Sequence, residues 1–381
     1  MDIRTLTMED MGQAKALWDA AFGDSPAYRD WYFANRIQEG YSLGAFEGEQ
    51  MASMLHMLPF KLDWYGRPLA AACIAGVATW PCQRKKGLAN ALLKACFEQL
   101  KARGIPLAFL YPFRQSFYRP SGFATVSDMD KITFSAGSLS AIDAQGYKLL
   151  DHAQTPNLNG IREVYHEMTA NYTGYALRDE RAWRLRAQEW AADGGSLLWL
   201  EKNGACRGYA LWARDGEKGV VEEWGARDLA DFAALCRLLL ECCGGTGSLE
   251  MLAPPETPVF ECLPERKDVR VERIPYAMMR ILDVPKVVLP AIAKETQDEV
   301  LLELDDGIIA ENAGKWIISC KMSVVQRQYD ARNCALKMTV GQLIQALTHY
   351  GRAAEQARWG VFPGEKLNFS ADKPILLWDK Y

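Results

Sequence analysis

The sequence predicts an α/β (α+β) protein built of three consecutive units. Three observations predict it. Ile74–Leu100 reads as an apolar strand, a basic glycine-containing turn and an amphipathic helix. The order of helices and strands in residues 1–145 recurs in 146–282. Residues 283–381 then change pattern, with strands joined by tight glycine turns ahead of one apolar helix.

Ile3–Leu6 is the first expected strand. Thr7 with Asp10 three residues on has the shape of a capping box, and Ala14, Leu17, Trp18, Ala21 and Phe22 form one helical face. Gly23-Asp24-Ser25-Pro26 ends that helix, and Ser25 can cap a second one running from Pro26 to Arg36. Its aromatics Tyr28, Trp31, Tyr32 and Phe33 suit core packing better than an acceptor wall. Tyr41–Glu47 and Met51–Phe60 flank a Gly48-Glu49 turn, and Lys61–Leu69 makes a further hairpin leading into Ala70–Trp80. His56 on the Met51–Phe60 strand suits a structural role.

The strand Ile74–Trp80 ends at Pro81, and Arg84-Lys85-Lys86-Gly87 follows. Ala89, Leu92, Leu93, Cys96 and Leu100 then recur at helical spacing. The turn therefore stands at a helix N-terminus, where backbone N–H groups lack intrahelical partners and the dipole favours an anion. No Asp or Glu occurs between Ile74 and Phe97. A pyrophosphate is the guest this arrangement suits. Leu107–Tyr111 is the next expected strand, followed by Phe117-Tyr118-Arg119-Pro120-Ser121-Gly122-Phe123; Lys131–Asp143 closes the unit with a strand and a linker.

A formal charge of −4 and a pI near 5.8 argue against a general nucleic-acid binder, which needs a basic phosphate-facing surface. The ten cysteines include no C-x-x-C pair, and the four histidines are scattered, so no metal site is expected. The N-terminus is acidic without an apolar core segment, and no run approaches about 20 apolar residues. A cytoplasmic protein with reduced thiols, without a membrane span, is expected.

In the second unit, Leu158–Tyr172 and Arg178–Trp190 read as helices. Ser196–Glu201 and Arg207–Arg214 flank an Asn203-Gly204 hairpin turn. Gly219–Gly225, Leu229–Cys242, Ser248–Leu252 and Ile274–Leu282 continue as strand, helix, strand, strand. Glu222 and Glu223 stand where the first unit has its anion turn, so this unit reads as a degenerate copy without a cofactor. In the third, Val287, Val288, Leu289 and Ala293 make a helix. Glu299–Ile309, Glu311–Ile317 and Lys337–Val340 carry strands, and Gly341–Tyr350 a helix. The chain stops on an aromatic, Tyr381, after the apolar run Ile375–Trp378.

Arg84-x-x-Gly87-x-Ala89 resembles the acetyl-coenzyme A loop of GNAT N-acetyltransferases, and Phe117–Phe123 resembles their tyrosine, short helix and G-F/Y ending. The third unit resembles a sterol carrier protein-like domain. In order, catalytic GNAT domain (1–145), degenerate GNAT domain (146–282) and sterol carrier-like domain with an aromatic C-terminus (283–381) resemble the enhanced intracellular survival family. That resemblance implies transfer of acetyl from acetyl-coenzyme A to an amine, such as an aminoglycoside-like polyamine or a lysine side chain, by a homo-hexamer. It implies that the backbone of Val77, Ala78 and Thr79 pairs with the pantetheine arm. Arg84, Lys85, Lys86, Gly87, Leu88, Ala89 and Asn90 cradle the pyrophosphate, with Phe113 and Arg114 beside the arm. Tyr118 matches the family's general acid and the Tyr381 carboxylate its general base. Two departures stand out: the family usually ends in Phe, and Arg114-Gln115-Ser116-Phe117 is more basic and bulkier than usual. Two rival readings are a lipid or sterol carrier, suggested by 283–381, and an inactive coenzyme-binding assembly protein.

Overall fold

The computed structural model describes residues 1–244, 247–263, 266–292, 299–319, 322–328, 336–348, 350 and 373–379. The first unit runs β1 (Asp2–Thr5), α1 (Met11–Ala21), α2 (Pro26–Asn35), β2 (Ser42–Glu47), β3 (Gln50–Trp64), β4 (Arg67–Thr79), α3 (Leu88–Ala102), β5 (Leu107–Leu110), α4 (Gln115–Tyr118) and β6 (Ala124–Phe134). The predicted caps form. The Asp10 carboxylate accepts from the Thr7 N–H at 2.8 Å and is gripped by both Arg4 Nη atoms at 2.7 Å. Ser25 accepts from the Tyr28 N–H at 3.1 Å. β3 and β4 join through Tyr65 and Gly66, with φ of 53° and 76°, the two left-handed positions of a hairpin turn that matches strand twist. β6 is longer than the segment expected from Lys131. Its polar Ser127–Asp130 half is held as sheet by antiparallel pairing with residues 273–277, and Asp130 accepts from Arg273 Nε at 2.8 Å.

The second unit runs β7 (Tyr147–Asp151), α5 (Leu158–Thr169), α6 (Glu180–Ala192), β8 (Ser196–Lys202), β9 (Ala205–Asp215), β10 (Lys218–Ala226), α7 (Leu229–Cys242), β11 (Ser248–Ala253) and β12 (Val269–Ile281). Asn157, Asp179 and Asp228 cap its three helices through their side-chain oxygens.

All twelve strands form one sheet in the order β1-β2-β3-β4-β5-β12-β6-β11-β10-β9-β8-β7. The units exchange their last strands: β12 lies between β5 and β6, and β6 lies between β12 and β11. Without the exchange, β6 would follow β5 and β12 would follow β11, and each would end its own sheet with unpaired N–H and C=O groups. The exchange pairs both edges and makes the sheet continuous.

The third unit has α8 (Val284–Val288), β13 (Glu299–Asp305), β14 (Gly314–Ser319), β15 (Val324–Gln328), β16 (Leu336–Thr339) and α9 (Val340–Leu347). Its four strands pair as β15-β14-β13-β16. β15 has no counterpart in the sequence reading, because VVQRQ is too short and polar to stand out; its pairing with β14 creates it. The expected helix at Val287–Ala293 shortens to α8 and a 3-10 turn, Leu289–Ala291; Ala293 lies outside the described residues. Thr339 and Gln342 close a capping box at α9, whose buried face packs on β12 and β6. Arg280 of β12, fully buried, donates to Asp306 at 2.7 and 2.8 Å. Trp64 Nε1 donates to the Val287 carbonyl at 2.8 Å. The apolar face of α9 is thus used for docking on the large sheet.

Candidate functional site

β4 and β5 are parallel and pair only at Ala71–Leu107, Ala72–Ala108 and Cys73–Phe109. Beyond Cys73 they part. On its other side β4 stays with β3 out to the Ser53–Thr79 pair, and the Ser53 hydroxyl donates to the Ala78 carbonyl at 2.7 Å. Among the described strands none pairs with Val77, Ala78 and Thr79 on the gap side, leaving the kind of edge an extended polar chain can extend as an added strand. Against β3 the register shifts between Met54 and His56: Met54 faces Ala78 and His56 faces Ala75. Gly76 and Val77 are the bulge, with Gly76 at φ 58°. The bulge thus lies one to two residues before Ala78.

After β4 a 3-10 turn, Pro81–Gln83, leads into the loop. Lys85 (φ 65°) and Gly87 (φ 78°) are both left-handed, and the α3 N-terminus has no side-chain cap. Turns of this kind expose successive N–H groups to one concavity and suit an anion. Arg84 Nε donates to the Thr79 carbonyl at 3.3 Å, folding the loop onto the strand end. Lys85, Gly87 and Asn90 are exposed, and Ala89 is half-buried. Leu88 points into the core, so its backbone N–H is what it can offer. One acid invisible in the local sequence enters: Glu47 of β2 pairs with Lys86 Nζ at 3.3 Å. Arg84 and Lys85 remain the cations clear of it.

Tyr118 ends α4 and is buried. Its ring meets Phe117, Phe113 and Phe123 at 4.9, 5.7 and 5.9 Å. Burial, and then the Cys73 thiol, push its phenol well up from the ordinary value. Phe113 is 72% exposed, and Arg114 beside it is exposed too. Alternation along β5 sends Ala108 and Leu110 to the core under α3 with Tyr118, and Phe109 and Tyr111 to the opposite face.

On that opposite face a cleft of about 480 Å³ is lined by Tyr111, Phe113, Glu222, Glu250, Met251 and Tyr276. The Tyr111 and Tyr276 rings touch at 5.1 Å, and the Tyr276 hydroxyl is buried with no hydrogen-bond partner among the described residues. Lys131 and Lys218 both hold Glu250 at 2.9 Å. Nearby, burial and then the charges of Asp24, Glu222 and Glu189 push the Asp193 carboxyl up. Residues from the α1–α2 connection, the end of α6 and β10 thus share a negative field. Sequence reading missed Asp193, Glu222 and Tyr276 as neighbours of this gap, since nothing local to each predicts the sheet that gathers them.

His56 is buried, and burial lowers its imidazole to about 3. Its Nδ1 lies 2.8 Å from Ser42 Oγ, and Trp18, Tyr32 and Phe33 enclose the ring. It is neutral and structural at physiological pH, as expected. Among the described residues there is no cluster of three or more His, Cys, Asp and Glu able to hold a metal, and no helix long and apolar enough to cross a membrane.

The C-terminal segment returns to this region. Leu376 N donates to the Thr173 carbonyl at 3.0 Å, and Leu376, Leu377 and Trp378 are buried. Burial, and then the Asp379 charge, push the Cys73 thiol up. Tyr381 lies outside the described residues.

Residues 2–126 and 174–281 each match an acetyltransferase (GNAT) domain, and residues 286–372 match a sterol carrier protein domain. The sequence is 23% identical over 414 residues to an uncharacterized N-acetyltransferase of Streptomyces coelicolor, covering 96% of this chain and 98% of that one. The fold is similar to a probable N-acyltransferase from Enterococcus faecalis, with a TM-score of 0.83 and 19% identity over 100% of this chain and 99% of that one. It is also similar to Eis1 from Mycobacterium abscessus, with a TM-score of 0.77 and 19% identity over 100% of both chains.

Proposed function

We propose that this chain, an acetyltransferase with two GNAT domains and a sterol carrier protein domain, uses its first unit to move an acetyl group from acetyl-coenzyme A to an amine. The observation that carries this reading is the parting of β4 and β5 beyond Cys73, with an uncapped helix N-terminus and two cations at its mouth. The residues fit the cosubstrate: the Val77–Thr79 edge for the pantetheine amides, and Arg84, Lys85 and the first N–H groups of α3 for the pyrophosphate. The gap opens both faces of the sheet. Tyr118 lies on the α3 face, whereas the cleft with Tyr111 and Tyr276 lies on the other. Two substrates can therefore approach from opposite sides.

An amine attacks only when neutral, and a lysine-like amine has a pKa of about 10.4. In this reading the Tyr381 carboxylate takes its proton. The apolar approach Leu376–Trp378 works toward a stronger base by excluding water, while Arg178 and Arg186 near Asp379 work the other way by favouring the charged carboxylate. As the new N–C bond forms, a backbone N–H at the Gly76–Val77 bulge polarises the thioester oxygen. When the C–S bond breaks, Tyr118 gives its proton to the sulfur. The negative field of Asp24, Asp193 and Glu222 favours a cationic acceptor, the polyamine or lysine class. A hexamer, which the family resemblance implies, belongs to the same proposal and would appear as the particle mass in solution.

Thermal-shift titration tests the reading: acetyl-coenzyme A should stabilise the protein, whereas fatty acyl chains should not. Lys85→Glu should raise KM for acetyl-coenzyme A by about tenfold, through loss of a cation and gain of a repelling charge, with kcat at saturation nearly unchanged. A KM that ignores this change would remove the loop from the cofactor site. Removing Tyr381 should lower kcat about tenfold, least at high pH where more amine is already neutral; a full rate at neutral pH would rule out the C-terminal base.

A further inference from the structure

The second unit repeats the strand irregularity of the first but fills it with buried charge. β10 shifts register against β9 between Val221 and Glu223. Glu223 there is fully buried; it accepts from Tyr209 Oη at 3.0 Å and Arg178 Nη2 at 2.9 Å, and Arg186 Nε lies 3.5 Å away. Arg178 also lies over the Tyr165 and Trp183 rings, 4.7 Å from each centroid. Arg186 Nη1 donates to Glu189 at 3.0 Å, and Glu189 accepts from Arg36 at 2.7 and 3.1 Å. Glu223, one of the two acids expected to repel a pyrophosphate, thus does something more specific: it holds arginines.

The last members come from the far end of the chain. Asp379 accepts from Arg178 Nε at 3.2 Å and lies 3.0 Å from its Nη2. Arg186 Nη2 donates to the Trp378 carbonyl at 3.2 Å. Three guanidinium groups therefore face three carboxylates in this cluster of described residues, and one of those carboxylates belongs to the tail. A guanidinium buried without a counter-charge is costly. Burial opposes ionisation of Asp379, yet the Arg178 and Arg186 charges prevail and hold its carboxyl below the usual range. Apolar burial of Leu376, Leu377 and Trp378 is non-directional; the paired charges add direction and register. Backbone bonds reinforce it, with Thr173 N donating to the Pro374 carbonyl at 3.0 Å.

We infer that Arg178 and Arg186 are positioning residues, and that the second unit serves as an ionic receptor for the C-terminal tail. Its catalytic consequence rests on the proposed role of the Tyr381 carboxylate; the docking does not. The test compares the full-length protein with Asp379→Asn, which removes the charge and keeps the shape. Arg178 is left in place because Glu223 depends on it. Carboxypeptidase release of the C-terminal residues reads docking, and steady-state kinetics read its use. For Asp379→Asn, release should quicken at least about tenfold and kcat fall about tenfold, with KM for acetyl-coenzyme A within about twofold of wild type. Asp379→Glu keeps the charge and should protect the tail to within about twofold. Release from Asp379→Asn at the wild-type rate, or loss of protection in Asp379→Glu, would overturn the receptor. Faster release with unchanged kcat would support the receptor and remove the C-terminal base.

Discussion

Replacing Tyr118 by Phe should lower kcat by about 10²–10³-fold, within the usual range for a lost general acid. The substitution deletes one oxygen and keeps the ring, so contacts with Phe113, Phe117 and Phe123 survive. Thermal stability and KM for acetyl-coenzyme A should stay close to wild type. Burial raises the phenol above its ordinary value of about 10. A raised pKa means the proton is retained as pH rises, so Tyr118 stays in its donating form throughout the neutral and mildly alkaline range. The wild-type rate should therefore show no fall from loss of this proton below about pH 10. A Tyr118→Phe enzyme with the wild-type rate would remove the phenol from the reaction.

Gly76→Ala should cost roughly 2–4 kcal/mol of stability and most of the activity. Part of the cost is the backbone, since φ of 58° suits glycine and strains alanine. The rest is space. An added Cβ would lie 2.4 Å from His56 Cδ2 and 3.0 Å from Trp18 Cζ3. His56 cannot withdraw easily, being held by Ser42 and enclosed by Trp18, Tyr32 and Phe33. Relief must come from the strand, flattening the bulge and turning its N–H away from the gap. Thermal unfolding and kcat measured together check this; a variant as stable and active as wild type would show that the bulge tolerates a side chain.

Local elements were largely legible. The Thr7–Asp10 box, the Ser25 cap and the Asn203-Gly204 turn are short-range chemistry, and each forms. The face of α3 was legible from spacing, although Leu88 and Phe97 join it and Ala89 is only half-buried. The strand exchange was not legible. Ile274–Leu282 reads as a strand from its own residues, and β12 carries it back to Val269, but its neighbours β5 and β6 lie more than a hundred positions away. Glu47 beside Lys86 was hidden for the same reason: a charge inventory of Ile74–Phe97 cannot include a residue of β2.

The chain's own sequence determined the kind of chemistry. A basic glycine turn at a helix N-terminus prefers an anion wherever it is placed, because the preference arises from a few adjacent N–H groups and side chains. Only the tertiary structure decided what that chemistry faces. The gap beyond Cys73 exists because two strands stop pairing, and the field of Asp24, Asp193 and Glu222 because distant elements converge. Glu223 shows the division clearly. Its charge was readable at once, but its partners Arg178 and Arg186 follow from burial, which makes an unpaired charge too costly to leave in place.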